Sequence, residues 1–312
     1  MLTIRRILCS VDFSDFSRRA LDLAFALAAR SGAEITALHV TAASFPPMAA
    51  FPEIPALFPL DAAVMERLGA ELASFVAPSR TPDVALRTVV AEGAPVTTIL
   101  REAEAQGADL IVMGTHGVGG FERWVLGSVA EKVLRKAPCP VLTVAKARQE
   151  PFPLDPGRFA EVVCAVDLSE GSPRTLATAV SMSQSSGAHL TLLYVLEDAL
   201  QEETAVAHAG LDLSAYRAQR CHEARQRLRA LAKDVGCVHD EIVRTGTPYR
   251  EILALAKERE AGLVVVGVHG RRLVDLFHLG STAHHVVRGA ECPVLTVRAT
   301  RAAVRTYMSR AR

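Results

Sequence analysis

Two stretches of this chain read alike at one fixed distance, and no other feature limits its fold so strongly. Gly114-Thr-His-Gly117, nine residues, then Gly127-Ser128 recurs as Gly267-Val-His-Gly270, nine residues, then Gly280-Ser281, 153 positions on. Cys139-Pro-Val-Leu-Thr-Val144 recurs as Cys292-Pro-Val-Leu-Thr-Val297 at the same distance. Near the start of each half the distance is 155: Cys9-Ser-Val-Asp12 matches Cys164-Ala-Val-Asp167, Gly32 matches Gly187, and Val40 matches Val195. The chain is a tandem duplication whose second copy is two residues shorter between Val195 and Gly246.

The repeated core has a physical logic. The short apolar run from Asp109 to Met113 suits a buried parallel strand. It stops at Gly114, and Gly117, Gly119 and Gly120 follow. Gly127-Ser128 then opens a segment, Ser128 to Lys136, whose spacing predicts a helix with Val129, Val133 and Leu134 on one face. A strand, a glycine-rich loop and a helix N-terminus together form an anion site, because free N–H groups and the positive end of the helix dipole point at one spot. Glycine lets a phosphate approach the backbone without a Cβ in the way. The other reading of one isolated copy is a glycine-rich turn that binds nothing.

Gly-x-x-Gly, nine residues, Gly-Ser, after a strand and before a helix, resembles the nucleotide-binding signature of the universal stress proteins. The resemblance covers nearly the whole chain, as two domains in series, and the early Asp and the Cys-Pro-Val-Leu-Thr-Val ending agree with it twice. It implies ATP, with Mg2+, bound at the switch point of an open parallel sheet, and a regulatory rather than a metabolic role. Carried onto matching positions, it implies ATP binding by Asp12, Val40, Gly114, Gly117, Gly127 and Ser128 in the first copy. In the second copy the matching positions are Asp167, Val195, Gly267, Gly270, Gly280 and Ser281. The Asp and the backbone near the end of the second strand would hold base and ribose. The glycines and the Gly-Ser would hold the phosphates. A carboxylate accepts from an amino group or a ribose hydroxyl but repels phosphate, so it belongs at the other end of the nucleotide. The family often has proline two residues before this Asp, where Ser10 and Ala165 stand here.

The chain has 312 residues, half of them hydrophobic and 5% aromatic, which fits two Ala/Val/Leu-rich α/β cores of ordinary size. The net charge of +1 gives no global basic field for nucleic acid or anionic lipid. No apolar run approaches the ~20 residues of a membrane helix. Met1 to Arg6 leads straight into a strand, which predicts no signal peptide. Six cysteines without a framework spacing read as reduced, cytosolic thiols, and the location expected is cytoplasmic.

In order, strands are expected over Ile4–Asp12, Glu34–Val40, Val84–Val90, 109–113 and Pro140–Val144, and again over Glu161–Asp167, His189–Leu196, Val238–Arg244, Leu263–Gly267 and Pro293–Val297. Ser17 is a candidate N-cap for the first helix, supported by Ser172-Pro173 in the second copy. Ser31-Gly32 and Ser186-Gly187 end these helices. Residues 41–60 hold five of the sixteen prolines together with Phe45, Phe51 and Phe58. That stretch is either a surface connection or a flap or docking segment. The expected domains are 1–147 and 159–299, with a linker at 148–158 and an Arg-bearing tail at 300–312. Alternating strands and helices predict two tandem open parallel five-stranded sheets with helices on both faces, a Rossmann-like nucleotide-binding α/β fold. The family resemblance also implies pairing at the last strand of each sheet. The two copies would then form an intrachain pseudo-dimer, and whole chains could pair again as a homodimer.

No lysine-bearing P-loop, Ser/His/Asp order, Cys/His nucleophile pair or zinc cluster stands out. The leading reading is an ATP-binding regulatory module with at most slow hydrolysis and unidentified protein partners. The alternatives are a nucleotide-hydrolysing or nucleotidyl-transferring enzyme, for which His116 and Arg123 are the candidates, and an interaction module that binds no nucleotide. Asp12 could instead cap the following turn. His116 and His269 could shape their loops or face solvent, and His39 reads as a structural histidine. The first copy is the better candidate site, because Gly119 and Gly120 become Arg272 and Leu273 in the second, which also carries Asp275 and Phe277. Arg271 and Arg272 could supply compensating charge there.

Overall fold

The computed structural model describes residues 3–41, 61–116, 126–144, 159–197, 204, 206–209, 212–233, 240–268 and 279–298. The chain divides into two compact units, one built on Thr3–Lys146 and the other on Arg158–Arg312. The first unit runs β1 (Arg6–Val11), α1 (Asp15–Ser31), β2 (Glu34–Thr41), α2 (Ala62–Val76), β3 (Leu86–Glu92), α3 (Pro95–Gln106), β4 (Leu110–Gly114), α4 (Ser128–Lys136) and β5 (Val141–Val144). The second repeats this as β6 (Glu161–Val166), α5 (Ser172–Ser186), β7 (His189–Leu196), α6 (Leu213–Ala232), β8 (Asp240–Thr245), α7 (Pro248–Glu258), β9 (Leu263–Gly267), α8 (Ser281–Gly289) and β10 (Val294–Val297). The proline-rich segment, apart from Thr41, the linker and the tail beyond Arg298 lie outside the described residues.

Within the first unit the strands lie in the order β3-β2-β1-β4-β5, and within the second β8-β7-β6-β9-β10. All of these pairings are parallel. The order fixes the layers. From β1 the chain moves outward through β2 to β3, then returns across β1 to β4 and β5. Right-handed crossovers therefore put α1 and α2 on one face and α3 and α4 on the other. The central strands are apolar on both faces, as that sandwich demands: Ile7, Leu8 and Cys9 of β1 and Leu110 to Val112 of β4 are at most 1% exposed.

The helix ends report local chemistry. Gly32, Gly107 and Gly187 close α1, α3 and α5 in the left-handed region, at φ 68°, 57° and 68°, as expected for the first and last. The N-cap of α1 corrects the expectation. It is Ser14, not Ser17: Ser14 is extended and its Oγ accepts the Ser17 N–H at 3.2 Å. Ser17 lies inside the first turn, buried, and its hydroxyl donates to the Ser14 carbonyl at 2.9 Å. In α5 the N-cap is Gly171, with Ser172 and Pro173 already helical. On α4 the buried face is Ala130, Val133 and Leu134, with Val129 only half-buried.

Candidate functional site

Strand order reverses between β1 and β4, so the crevice of the first unit opens above the C-terminal ends of these two strands. Asp12 follows β1, Val40 is the next-to-last residue of β2 and Gly114 ends β4. Val11 is in register with His39, which sets Asp12 beside Val40.

The turn after β1 is built by Asp12 itself. Its Oδ1 accepts from the Ser14 N–H at 3.1 Å and the Ser14 hydroxyl at 2.5 Å. Ser14 then caps α1, so a relay runs from Asp12 through Ser14 to Ser17. The capping role is real, and it uses Oδ1 alone; Oδ2 makes no hydrogen bond among the described residues. Phe13, between them, sits at φ 64° in the left-handed region, which side chains with a Cβ enter at a cost. Its ring lies 4.4 Å from His39 and 5.4 Å from Phe75. Arg18 stacks on that Phe75 at 3.6 Å and donates to its carbonyl. His39 holds its Nδ1 2.9 Å from the Val11 carbonyl, so that nitrogen carries the proton. This is the structural histidine expected.

Gly114 is required by a close approach. A Cβ there would fall 2.6 Å from the Phe16 Cβ and 3.1 Å from its carbonyl carbon. The first turn of α1 thus rests directly on the end of β4. One residue on, Thr115 donates its N–H to the Val144 carbonyl at 3.1 Å and accepts the Gly127 N–H at 2.9 Å. The glycine loop therefore leaves and returns through a single backbone clip. A Cβ on Gly127 would sit 3.0 Å from the Thr115 carbonyl oxygen, so glycine lets the two ends pass. The second unit repeats the clip: Val268 donates to Val297 at 2.9 Å, and Gly280 donates to Val268 at 3.0 Å.

Past the clip, α4 begins with Gly127 as its N-cap and no side-chain capping bond. The first-turn N–H groups, Ser128 among them, face outward with the positive end of the helix dipole. α8 starts in the same way at Gly280. His116 stands where the loop departs, its ring 5.1 Å from Phe16 and its Nδ1 2.9 Å from Thr115 Oγ1. Both contacts hold His116 against α1 and the end of β4. Gly117, Gly119, Gly120, Arg123, His269, Gly270 and residues 271–278 lie outside the described residues.

The second unit keeps the frame and changes the lining. Asp167 Oδ1 accepts from the Ser169 N–H at 3.0 Å and from the Ser172 hydroxyl at 3.0 Å. Leu168 takes the left-handed place of Phe13, at φ 59°. Tyr194 and Val195, 5% and 8% exposed, stand where His39 and Val40 are half-buried. The strand end is more closed there. The repeated Asp-x-Ser-x-x-Ser, Asp12 to Ser17 and Asp167 to Ser172, was the sequence signal for the carboxylate relay.

Other reactive groups are spoken for. Burial pushes the Cys9 and Cys164 thiols well above the usual range, and pushes Cys292 up to about 12. His285 stacks on Tyr249 at 4.4 Å with its Nδ1 2.6 Å from the Ser281 carbonyl. Among the described residues no group of three or more His, Cys, Asp or Glu could hold a metal ion, and no helix is long and apolar enough to cross a membrane.

Known proteins resemble this chain in sequence and fold. A universal stress protein of Methanocaldococcus jannaschii is 37% identical over 149 residues, 47% of this chain and 85% of that protein. One of Mycobacterium tuberculosis H37Rv is 31% identical over 206 residues, 65% of this chain and 66% of its own. The solved structure of a universal stress protein from Archaeoglobus fulgidus overlays 95% of this chain and 97% of its own, with a TM-score of 0.65 and 23% identity, a likeness of fold. The model of the universal stress protein family matches twice, over residues 3–145 and 158–298. The chain therefore belongs to the universal stress protein family, with two copies of its domain in series.

Proposed function

We propose that this protein is an ATP-binding regulatory protein of the stress response, with ATP and Mg2+ held in the first unit across the C-terminal ends of β2, β1 and β4. Asp12 and the backbone at Val40 take the base and ribose. Gly114, Gly117, Gly127 and Ser128 take the phosphates. The observation that carries this reading is the Thr115–Gly127 clip, which sets an uncapped helix start beside a glycine loop at the switch point. Both Gly114 and Gly127 line places that a Cβ would fill. The carboxylate relay keeps Asp12 oriented with Oδ2 toward a ligand's hydroxyl or amino group. The second unit offers Asp167, Val195, Gly267, Gly270, Gly280 and Ser281 in the same frame, but with Tyr194 and Val195 buried it ranks second.

The test is nucleotide stoichiometry on the purified full chain, by denaturing extraction and chromatography. The expected result is ATP near one per chain. If ATP binds with a dissociation constant of ~10 µM, ~1 mM ATP stabilises the binding unit by about 2.7 kcal/mol, a shift of several degrees in melting. Absence of both retained nucleotide and a melting shift with ATP and Mg2+ would refute the reading.

A further inference from the structure

The duplication supplies its own control for the surface. α2 and α6 occupy the same place in the two units, each connecting the second strand to the third. The fold asks little of either: α2 buries Leu72 and Val76, and α6 buries Ala224, Leu228 and Ala232. Their charges differ. Between residues 61 and 76, Asp61, Glu66 and Glu71 face the single Arg67, a net −2. Between 212 and 233, Asp212 and Glu223 stand against Arg217, Arg220, Arg225, Arg227, Arg229 and Lys233, a net +4. Packing does not explain that difference, since five of these six cations are exposed.

Nor are all of these cations neutralised by their neighbours. Elsewhere in the unit arginines are paired: Arg244 with Glu251 and Glu258, and Arg259 with Asp240 at 2.8 Å. On α6, Glu241 of β8 reaches Arg229 at 3.5 Å, Arg220 lies near the Tyr216 ring, and Glu223 accepts from Gln219 instead. Arg225, Arg227 and Lys233 have no ion-pair partner among the described residues. Arg225, Arg229 and Lys233 recur every fourth residue, a ridge about 12 Å long on one side of the helix. Arg220 and Arg227 line the opposite flank.

We infer that α6 is an electrostatic docking surface for the phosphate backbone of a nucleic acid, read without regard to sequence. The net charge of the chain, +1, conceals this local concentration. Several observations select the partner. A helix lying in a lipid surface needs a free apolar face, and that of α6 is spent in the core. A protein interface needs buried aromatic or aliphatic anchors, whereas the exposed positions of this helix carry Arg, Lys, Gln, His, Glu, Ser and Ala, none of them a large apolar side chain. Guanidinium groups with a tyrosine and a histidine nearby suit phosphates and unstacked bases.

The test is fluorescence anisotropy of a labelled single-stranded oligonucleotide of about 20 nucleotides titrated with the full chain, in excess ATP so that the glycine loop is not the reporter. With three phosphates neutralised, affinity should fall about 20-fold between 50 and 200 mM salt, and about 40-fold for a duplex. Arg225→Gln/Arg229→Gln/Lys233→Gln should flatten that dependence to less than about two-fold, with an unchanged melting profile. Arg225→Lys/Arg229→Lys should retain it. Absence of binding at 50 mM salt overturns the proposal, as does a salt slope that the Gln variant leaves intact. Capture by anionic vesicles or polyglutamate, but not by oligonucleotide, would also overturn it.

Discussion

Helix α7 ends on a glutamate where its counterpart ends on a glycine, and this makes a sharp stability test. Glu260 lies at φ 49° and Gly107 at φ 57°, 153 positions apart. Their bonds match: Ala108 donates to Ala103 at 2.8 Å and Ala261 to Ala256 at 2.8 Å. The left-handed conformation costs a residue with a Cβ about 1–2 kcal/mol. Glycine returns part of that through the greater freedom of its unfolded chain, about 0.4–1 kcal/mol. Glu260→Gly should therefore stabilise the second unit by about 0.5–1 kcal/mol, or ~1–4 °C in melting for a unit of this size. The Glu260 side chain is exposed and makes no hydrogen bond or ion pair among the described residues, so no such contact is lost. It does carry a negative charge beside the negative end of a helix. Glu260→Ala isolates that part, because it removes the charge and keeps the Cβ. Differential scanning calorimetry of the full chain measures the shift, and hydrogen exchange at β8 and β9 assigns it to the second unit. Gly107→Ala is the mirror experiment and should lose a similar amount. If Glu260→Ala captures the whole gain, the electrostatic end effect is the cause and the backbone argument fails. If Glu260→Gly destabilises, the reasoning is wrong altogether.

Other outcomes follow from the same structure. Ser14→Ala removes the α1 N-cap and the partner of Asp12, and should cost about 1 kcal/mol in urea denaturation. Gly117→Arg should empty the protein of most ATP while circular dichroism stays native, and Gly270→Arg should remove less; the reverse order would overturn the ranking of the units. Because the raised thiol pKa of Cys292, about 12, leaves almost no thiolate at pH 8, native protein should label at Cys221 with a maleimide while Cys9, Cys164 and Cys292 react only in denaturant. Rapid labelling of half-buried Cys292 at pH 8 would contradict its raised pKa.

Much of this was legible in the chain because the repeat supplied two independent readings of each element. Gly32 and Gly187 marked helix ends correctly, since a left-handed terminus selects glycine. The strand-loop-helix frame of Gly114 to Ser128 was equally clear. The α1 N-cap was not, because Ser14 and Ser17 are both good caps, and the Asp12 relay, a matter of side-chain rotamers, decides between them. Val129 and Ala130 differ by one position on the helix, and the sheet beneath settles which faces inward. The clip between Thr115 and Gly127 joins backbone atoms, which carry no residue signature. The closed strand end at Tyr194 and Val195 depends on packing from distant segments.

That clip also separates two properties usually entangled in a binding loop. Thr115 with Gly127, and Val268 with Gly280, fasten the ends through main-chain atoms alone. Each leaves eleven residues, 116–126 and 269–279, outside the fastened frame. Closure entropy grows only slowly with the length of such a span, and the two spans are equally long. The interior differs between the copies at eight of its eleven positions while its length is kept. Equal spans behind equal clips make 117–126 and 270–279 interchangeable in length, so a chimera that exchanges them should keep both sheets, as circular dichroism would show.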